Sequence, residues 1–564
     1  MALAAEPLRE FDTSHARERL LAGLLVVGLS LLPYLGALHG EFVAGDIDFI
    51  SENPALREPD LWRKAFAYSY WYQGGASDPG RYYRPLVVLL DGVNLAWFGE
   101  NTLGYHVVNQ LLHALASLGV WWLLSLLLAR AGLALWAACL FAVHPMHVHA
   151  VAYISGRTSL LCTLLVVTYV CCALMADAAG TRRAQLRWGA GASLSFACAL
   201  LTKEHALIAP LLAVCAFWAR SPGLAASLRR RAPWFALEFG LVLVYLLVRK
   251  LVLGHVGAAG APAWQQLSPL AALLSMAKIV AFYPLRLLWP SGLSYLPAFT
   301  PAFDASSVSG WCALSVLVAW LVAIVTLRDR ARLGCALSAW TLIALAPVSG
   351  VVPLEYFVKE HHAYLAAVGF TGLIALLVER GLHALPEIRT SVLRVAAGAV
   401  VCSLVALAQL HAAHFQNVRA LYERIVELEP GIDDADFARP VMRGAAERFG
   451  VTHLNLGLLE LKANAFEPAH AHFERAQRLA RSKGLRFQTR FLSADSLLGL
   501  GDLAGAERAF SALSADDPKH SEPESKLAQI AARRGRKDDM LAHLKLACAR
   551  GGREACAQAA RFEH

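Results

Sequence analysis

The sequence predicts an all-α polytopic membrane protein, with about eleven transmembrane helices followed by a soluble α-helical repeat domain. Three observations carry this. The 564 residues are 57% hydrophobic and only 17% charged, with a mean hydropathy of +0.46, which is the composition of a membrane protein rather than of a large soluble enzyme. Apolar runs long enough to span recur through residues 20–412, and the arginines between them fall in short loops on one side. Residues 413–564 lose that hydropathy and carry small and aromatic residues at a repeat spacing of about 34.

The net charge of +9 does not indicate a nucleic-acid partner. Its arginines are those of the short loops, where the positive-inside rule expects them, and no soluble face interleaves them with aromatics. Of the 11 cysteines most lie inside apolar runs, where they act as small hydrophobes. Cys548 and Cys556 fall in the soluble region. They form a local disulfide if that region faces an oxidising compartment and are two free thiols otherwise. No cysteine spacing suits a metal.

Residues 1–19 are polar and read as a cytoplasmic N-terminal segment. The apolar run 20–38 has a signal peptide as its alternative reading, but it is long and has no clean cleavage site after it, so it reads as a membrane anchor. Residues 39–103 form an external segment with Asp46 and Asp48 at its start, an aromatic amphipathic piece at 61–72 suited to the membrane–water interface, and then Arg84 before Pro85. Spans follow at about 106–128, 133–150, 157–176, 188–203, 204–219 and 232–253. Their cytoplasmic connections carry Arg130, then Arg182, Arg183 and Arg187, then Arg220 and Arg229 to Arg231. The turns near 144–157 and 203–204 are thereby left on the external side with Asp46.

The run 270–288 carries Lys278 and Arg286 and is expected to break at Pro284. Counted as a span it would put Arg328, Arg330 and Arg332 outside, against the charge rule. It therefore reads as a re-entrant or in-plane helix within an external loop, 254–308. Spans resume at about 309–327, 333–350, 361–379 and 391–412, giving a membrane domain over 20–412, an N-terminus inside and a C-terminus outside. The last helix is expected to run on through His411 to Glu429. In 413–564, Leu456, Gly457, Ala469, Phe473 and Ala476 fall at tetratricopeptide-repeat spacing. Ala506, Phe510, Leu513 and Pro518 mark a second unit, Leu544 and Ala547 a third, and Ala420, Tyr422, Ile425 and Pro430 a partial one. Such repeats bind peptides or proteins. The plain alternative is an alanine-rich helical bundle.

Polar residues converge on the external face. Each has an ordinary reading alone: an aspartate caps a helix, an arginine snorkels to headgroups, a histidine sits at the interface. Together, a carboxylate and several cations at one membrane depth suit an anionic lipid-linked substrate. A polyprenyl-phosphate sugar needs no general acid, because phosphate is a weakly basic leaving group, unlike the alcohol of ordinary glycoside hydrolysis. It needs cations for the charge that develops on the phosphate and one base for an acceptor hydroxyl. Asp46 is the expected base and Asp48 the next choice. Arg84, Arg157, Lys203 and Arg286 are the candidates for the donor phosphate. His144, His147, His149, Glu204, Glu360 and His361 are expected to shape the site. In-line attack would invert the anomeric configuration.

Several of these residues also form a pattern. The stretch Phe42-Val43-Ala44-Gly45-Asp46 followed by Glu52-Asn53-Pro54, the block Tyr83-Arg84-Pro85-Leu86 with Asn94, Gly104-Tyr105-His106, Asn109 and His113, then His144-Pro145-Met146-His147-Val148-His149 with Gly156-Arg157, Lys203-Glu204, and Glu360-His361-His362-Ala363-Tyr364-Leu365 occur in that order. The sequence resembles the transmembrane and tetratricopeptide-repeat (TMTC-like) O-mannosyltransferases and their bacterial relatives, within the GT-C glycosyltransferase superfamily. The resemblance implies an acidic base in the first external loop, a polyprenyl-phosphate-linked mannose or other hexose as donor, and no metal or other cofactor. The cluster of His144, His147 and His149 leaves a metal site open as the lesser alternative, since these histidines straddle a proline and have no fixed helical spacing for a metal. The pattern is not matched throughout. Its preceding aspartate is Gly45 here, His149 stands where it has Glu, and His361 where it often has Arg.

The expectation is thus an inverting transferase of a bacterial inner membrane, moving a sugar to an extracytoplasmic acceptor. Its partners would be the polyprenyl-phosphate sugar, membrane lipid, and a protein or peptide held by a periplasmic repeat domain. The alternatives are a non-enzymatic scaffold that recruits proteins through its repeats, and a transferase acting on a glycan or lipid acceptor.

Overall fold

The computed structural model describes residues 16–72, 82–128, 130–220, 223–257, 262–354, 356–383 and 390–562. The expected cytoplasmic segment 1–19 thus lies mostly outside the described residues. Among them every regular element is a helix. The chain divides into two compact units, one ending at Leu421 and one beginning at Tyr422.

Seven described helices are long and apolar enough to cross a membrane: Ala16–His39, Thr102–Leu128, Ile154–Ala178, Pro269–Leu288, Val308–Leu327, Ala366–His383 and Val392–Ala413. An eighth is added if Ala131–Val143 and Pro145–Val151, which meet at 51°, form one bent span. The sequence pattern suggested about eleven. The other expected spans are helices, but shorter or more charged ones. Ala209–Arg220 has 12 residues and Arg332–Leu345 has 14. Arg182–Leu200 opens with two arginines, and Leu224–Leu253 carries Arg229 to Arg231, Glu238, Arg249 and Lys250.

The run 270–288 departs from expectation in the other direction. It is one 20-residue α-helix, Pro269–Leu288, which passes Pro284 without ending. An internal proline deletes one backbone hydrogen bond and bends a helix, and packing holds such a helix together. Here Ser268 caps its start through the Ala271 N–H, it packs on Val308–Leu327, and Lys278 Nζ donates to the Thr300 carbonyl at 2.6 Å.

In the first unit Thr102–Leu128 packs against Ala16–Leu31, Ala131–Val143 and Arg157–Ala178. The chain bends at His144 because Pro145 follows it and His144 Nδ1 accepts the Met146 N–H at 3.1 Å, closing a new turn. Gly156 is needed where the chain turns into Arg157–Ala178. A Cβ there would lie 2.6 Å from the carbonyl oxygens of His149 and Ala150. The last apolar helix does not run on to Glu429. Thr390–Ala413 ends, and a separate helix, Val418–Leu428, starts where the Asn417 side chain accepts the Ala420 N–H at 2.9 Å.

The second unit is a file of helices, Arg443–Lys462, Phe466–Leu479, Lys483–Gly499, Leu503–Asp516, Glu522–Arg533, Lys537–Ala549 and Arg553–Phe562, each packed on the next. The residues that suggested a repeat form its core: Ala469, Phe473 and Ala476 cluster with Leu454 and Leu485, Ala506 and Phe510 with Leu527 and Ile530, and Leu544 and Ala547 with Ala555 and Ala559. This is a tetratricopeptide-like architecture, in which neighbouring pairs bury each other's apolar faces. A disulfide joins Cys548 and Cys556 across the last two helices, with Cα atoms 4.6 Å apart.

Candidate active site

The first unit encloses a cavity of about 1000 Å³. Its wall draws on the loop after the first helix, the start of Pro85–Phe98, the turns at Ser155 and at Lys203-Glu204-His205, the end of Leu224–Leu253, and the stretch from Tyr356 to His362.

The loop after the first helix is drawn tight. Ala44 adopts φ 48°, and the Asp46 N–H closes a turn on the Val43 carbonyl at 3.0 Å. Asp46 is fully buried. Its Oδ1 accepts the Ser155 N–H at 2.8 Å and the Ser155 hydroxyl at 2.6 Å, and its Oδ2 accepts the Val43 N–H at 3.3 Å. Burial pushes the Asp46 carboxyl up to about 7, while the Ser155 and Val43 hydrogen bonds and the Arg157 charge pull it down. Asp46 stands behind the wall, whereas Ser155, Gly45 and Asp48 line the cavity. Gly45 has no room for a side chain. A Cβ would lie 2.7 Å from the Tyr153 hydroxyl and 2.8 Å from the Phe49 ring.

Among the described residues of the wall, four cations face two carboxylates: Arg84, Lys203, Arg249 and Lys359 against Asp48 and Glu204. Arg84 stacks on Tyr82 at 4.1 Å and donates to Glu204 Oε2 at 3.0 Å. Arg249 donates to the other oxygen, Oε1, at 2.8 Å. Lys203 Nζ donates to Ser159 Oγ at 2.9 Å. Lys359 Nζ donates to the Tyr295 carbonyl at 3.0 Å and sits 3.7 Å from the centre of the Tyr295 ring.

The structure therefore brings together Arg84, Lys203, Glu204, His149, His361 and Asp48, with Asp46 one hydrogen bond behind. It does not bring Arg157, Arg286, His144, His147 or Glu360 to the wall. Arg157 is fully buried and spent on structure: it pairs with Asp91 at 3.0 Å and donates to Asn109 Oδ1 at 3.0 Å and to the Ile154 and Tyr105 carbonyls. Arg286 donates to Ser291 Oγ at 2.9 Å on an exposed turn. His144 Nε2 meets the Leu287 carbonyl at 2.8 Å. His147 packs between Phe141 and Tyr364, with ring centres 4.5 Å from each. Glu360 is held by His411 Nε2 at 2.9 Å and by the Ser294 N–H. Among the described residues no group of three His, Cys, Asp or Glu is arranged to hold a metal ion.

Sequence reasoning missed Ser155, Arg249, Tyr295 and the part played by Lys359. Lys359 heads a visible Lys-Glu-His-His run. Arg249 ends a long apolar run, where a snorkelling arginine is the ordinary reading. Ser155 carries no signal in its residue type.

No family model matches the sequence. Curated proteins do. The chain is 37% identical over 145 residues to protein O-mannosyl-transferase F38B6.6 of Caenorhabditis elegans, covering 25% of this chain and 21% of that protein. It is 41% identical over 147 residues to protein O-mannosyl-transferase TMTC1 of Mus musculus, covering 26% and 16%. With protein O-mannosyl-transferase Tmtc2 of Drosophila melanogaster it is 30% identical over 316 residues, covering 53% and 33%. The chain resembles the TMTC-type protein O-mannosyltransferases. The matched regions span only 16% to 33% of the length of these relatives. Its apolar helices make it an integral membrane protein.

Proposed function

We propose that the chain is an inverting GT-C membrane glycosyltransferase, which moves mannose or another hexose from a polyprenyl phosphate to a protein hydroxyl, with Asp46 as general base acting through Ser155. The relatives' printed activity supports the reaction class. The observation that carries the mechanism is Ser155, a residue of the cavity wall whose hydroxyl donates to Asp46 at 2.6 Å.

The acceptor oxygen attacks the anomeric carbon as the bond from that carbon to the phosphate oxygen breaks, and the bonding pair leaves with the phosphate. The acceptor proton passes to Ser155 Oγ while the Ser155 proton passes to Asp46. A carboxyl near 7 suits a base that works close to neutral pH. Arg84, Lys203, Arg249 and Lys359 stabilise the charge that grows on the phosphate, so the scheme uses no metal. Asp48 is the second reading for the base, because its side chain lines the cavity directly.

In this reading the cavity opens outside the cytoplasm of a bacterial inner membrane, with the N-terminus cytoplasmic. The Cys548–Cys556 disulfide favours an oxidising, periplasmic setting for the repeat unit, and its role is to hold the protein acceptor. The test is release of free polyprenyl phosphate from a panel of polyprenyl-phosphate hexoses in proteoliposomes, with periplasmic extract supplying acceptors. Release that depends on the extract supports the transferase. No release with any donor contradicts it and leaves the scaffold.

A further inference from the structure

One part of the cavity wall differs from the cationic part. His149 is fully buried, lines the cavity, and has no hydrogen-bond partner among the described residues on either ring nitrogen; His361 also lines it and has none among them on Nδ1. The two rings meet edge to face with centres 4.6 Å apart. Tyr295 and Tyr153 flank His149 at 5.1 and 5.6 Å. The backbone fixes the arrangement, since His149 stands on the short helix Val148–Val151 directly after the bend, and Gly156 packs so close that a Cβ there would lie 2.6 Å from the His149 carbonyl oxygen.

Buried polar atoms are almost always paired, because an unpaired one forfeits its hydration for nothing. Three such imidazole nitrogens in the wall of one cavity are therefore placed to bind the polar groups of a ligand. The chemistry they offer is specific. A neutral imidazole offers one N–H and one lone pair. A hydroxyl both donates and accepts and so can use both, whereas a phosphate diester only accepts and is better served by the lysines and arginines alongside. The tyrosine rings add aromatic surface beside the imidazoles, the Tyr295 ring already carrying the Lys359 ammonium 3.7 Å from its centre.

We infer that His149 and His361, backed by Tyr153 and Tyr295, form the subsite that binds the hydroxyls of the transferred sugar, next to the Arg84, Lys203, Arg249 and Lys359 cations that take the phosphate. This rests on the transferase reading and adds which end of the donor each wall holds. Both histidines stand where the sequence departs from the pattern it resembles, with Glu and Arg replaced by His and His, and the two departures touch. Two adjoining imidazoles present their hydrogen-bonding atoms in one fixed arrangement, so the subsite discriminates among hexoses by the placing of their hydroxyls.

The experiment measures binding of each polyprenyl-phosphate hexose and of sugar-free polyprenyl phosphate to the full chain in nanodiscs, and takes the ratio of the two affinities. Wild type binds one hexose donor more tightly than the sugar-free lipid. His149→Phe and His361→Phe each lower that ratio about threefold to tenfold, the weight of one or two neutral hydrogen bonds, and leave the sugar-free lipid unchanged. Both variants keep the wild-type melting temperature, because His149→Phe removes two unpaired buried nitrogens and His361→Phe one. His361→Gln, which keeps a donor and an acceptor, retains most of the preference. A ratio unchanged in both Phe variants, or a parallel loss of both lipids, overturns the inference while leaving the transferase intact. Failure of wild type to bind any of these lipids overturns the transferase reading, and the subsite with it. A donor with a diazirine on the hexose gives a check on unaltered protein: crosslinks to the peptides holding His149 to Tyr153 or Tyr295 or His361 support the subsite, and crosslinks confined elsewhere overturn it.

Discussion

Asp46 and Ser155, 109 residues apart in the chain, are joined twice at a single oxygen: the Ser155 N–H reaches Asp46 Oδ1 at 2.8 Å and its hydroxyl at 2.6 Å. The first loop is thereby stitched to the start of Arg157–Ala178. The same contact gives a buried carboxylate one hydroxyl's access to the cavity.

Stability is expected to depend on pH through Asp46. Burial raises its carboxyl from 3.8 to about 7, so between those values the folded chain holds a proton that the unfolded chain has released. The contribution is full below about pH 4 and is lost as the pH rises through about 7, on the order of a few kcal/mol. Asp46→Asn cannot ionise and lacks this slope. Melting temperatures in detergent from pH 4 to 8 should fall for wild type relative to the variant, and parallel curves would refute the buried, raised carboxyl.

Arg157→Met is expected to unfold rather than to impair binding. It strands Asp91 without its partner 3.0 Å away, and breaking one side of a buried pair costs about 3–5 kcal/mol. The melting temperature should drop sharply. Arg84→Met, by contrast, should keep its fold and lose donor affinity.

Gly45→Ala should destabilise the loop by about 1–3 kcal/mol through overpacking, since the added carbon meets the Tyr153 hydroxyl at 2.7 Å and the Phe49 ring at 2.8 Å. Tyr153→Phe removes the first clash and leaves the second. A double-mutant cycle of melting free energies should show partial rescue, with a coupling of about 1 kcal/mol. Strict additivity would mean that the hydroxyl is not what excludes a side chain.

Arg249→Gln should raise the donor KM about tenfold, as expected for loss of one charge-assisted contact, and should weaken the dependence of KM on salt. Its melting temperature should move little, because Glu204 keeps Arg84. An unchanged KM would remove Arg249 from the phosphate site.

Hydropathy period and repeat spacing made the helical architecture legible, down to Phe473 and Phe510 at the core of their repeats. They suggested about eleven spans where seven or eight described helices are long and apolar enough to cross alone, because a helix such as Ala209–Arg220 is apolar yet only 12 residues long, and length follows from caps and turns that hydropathy does not show. The clustering of charge near span ends singled out Arg84, Lys203 and Asp48, and these three line the cavity. The same signal drew in Arg157, because a buried arginine paired with Asp91 and a solvated one look alike in sequence. Ser155 was invisible for the opposite reason: its importance is its distance from Asp46, and one serine in a turn gives no sign of that.

The most direct measurement compares the rate of sugar transfer to acceptor for wild type, Asp46→Asn, Ser155→Ala and Asp48→Asn at saturating donor. General-base catalysis is worth about 10²–10⁴-fold. Asp46→Asn should lose a factor in that range, Ser155→Ala a large part of it, and Asp48→Asn no more than about threefold. A wild-type rate in Asp46→Asn with transfer abolished in Asp48→Asn would contradict the relay and put the base on the cavity side of the loop.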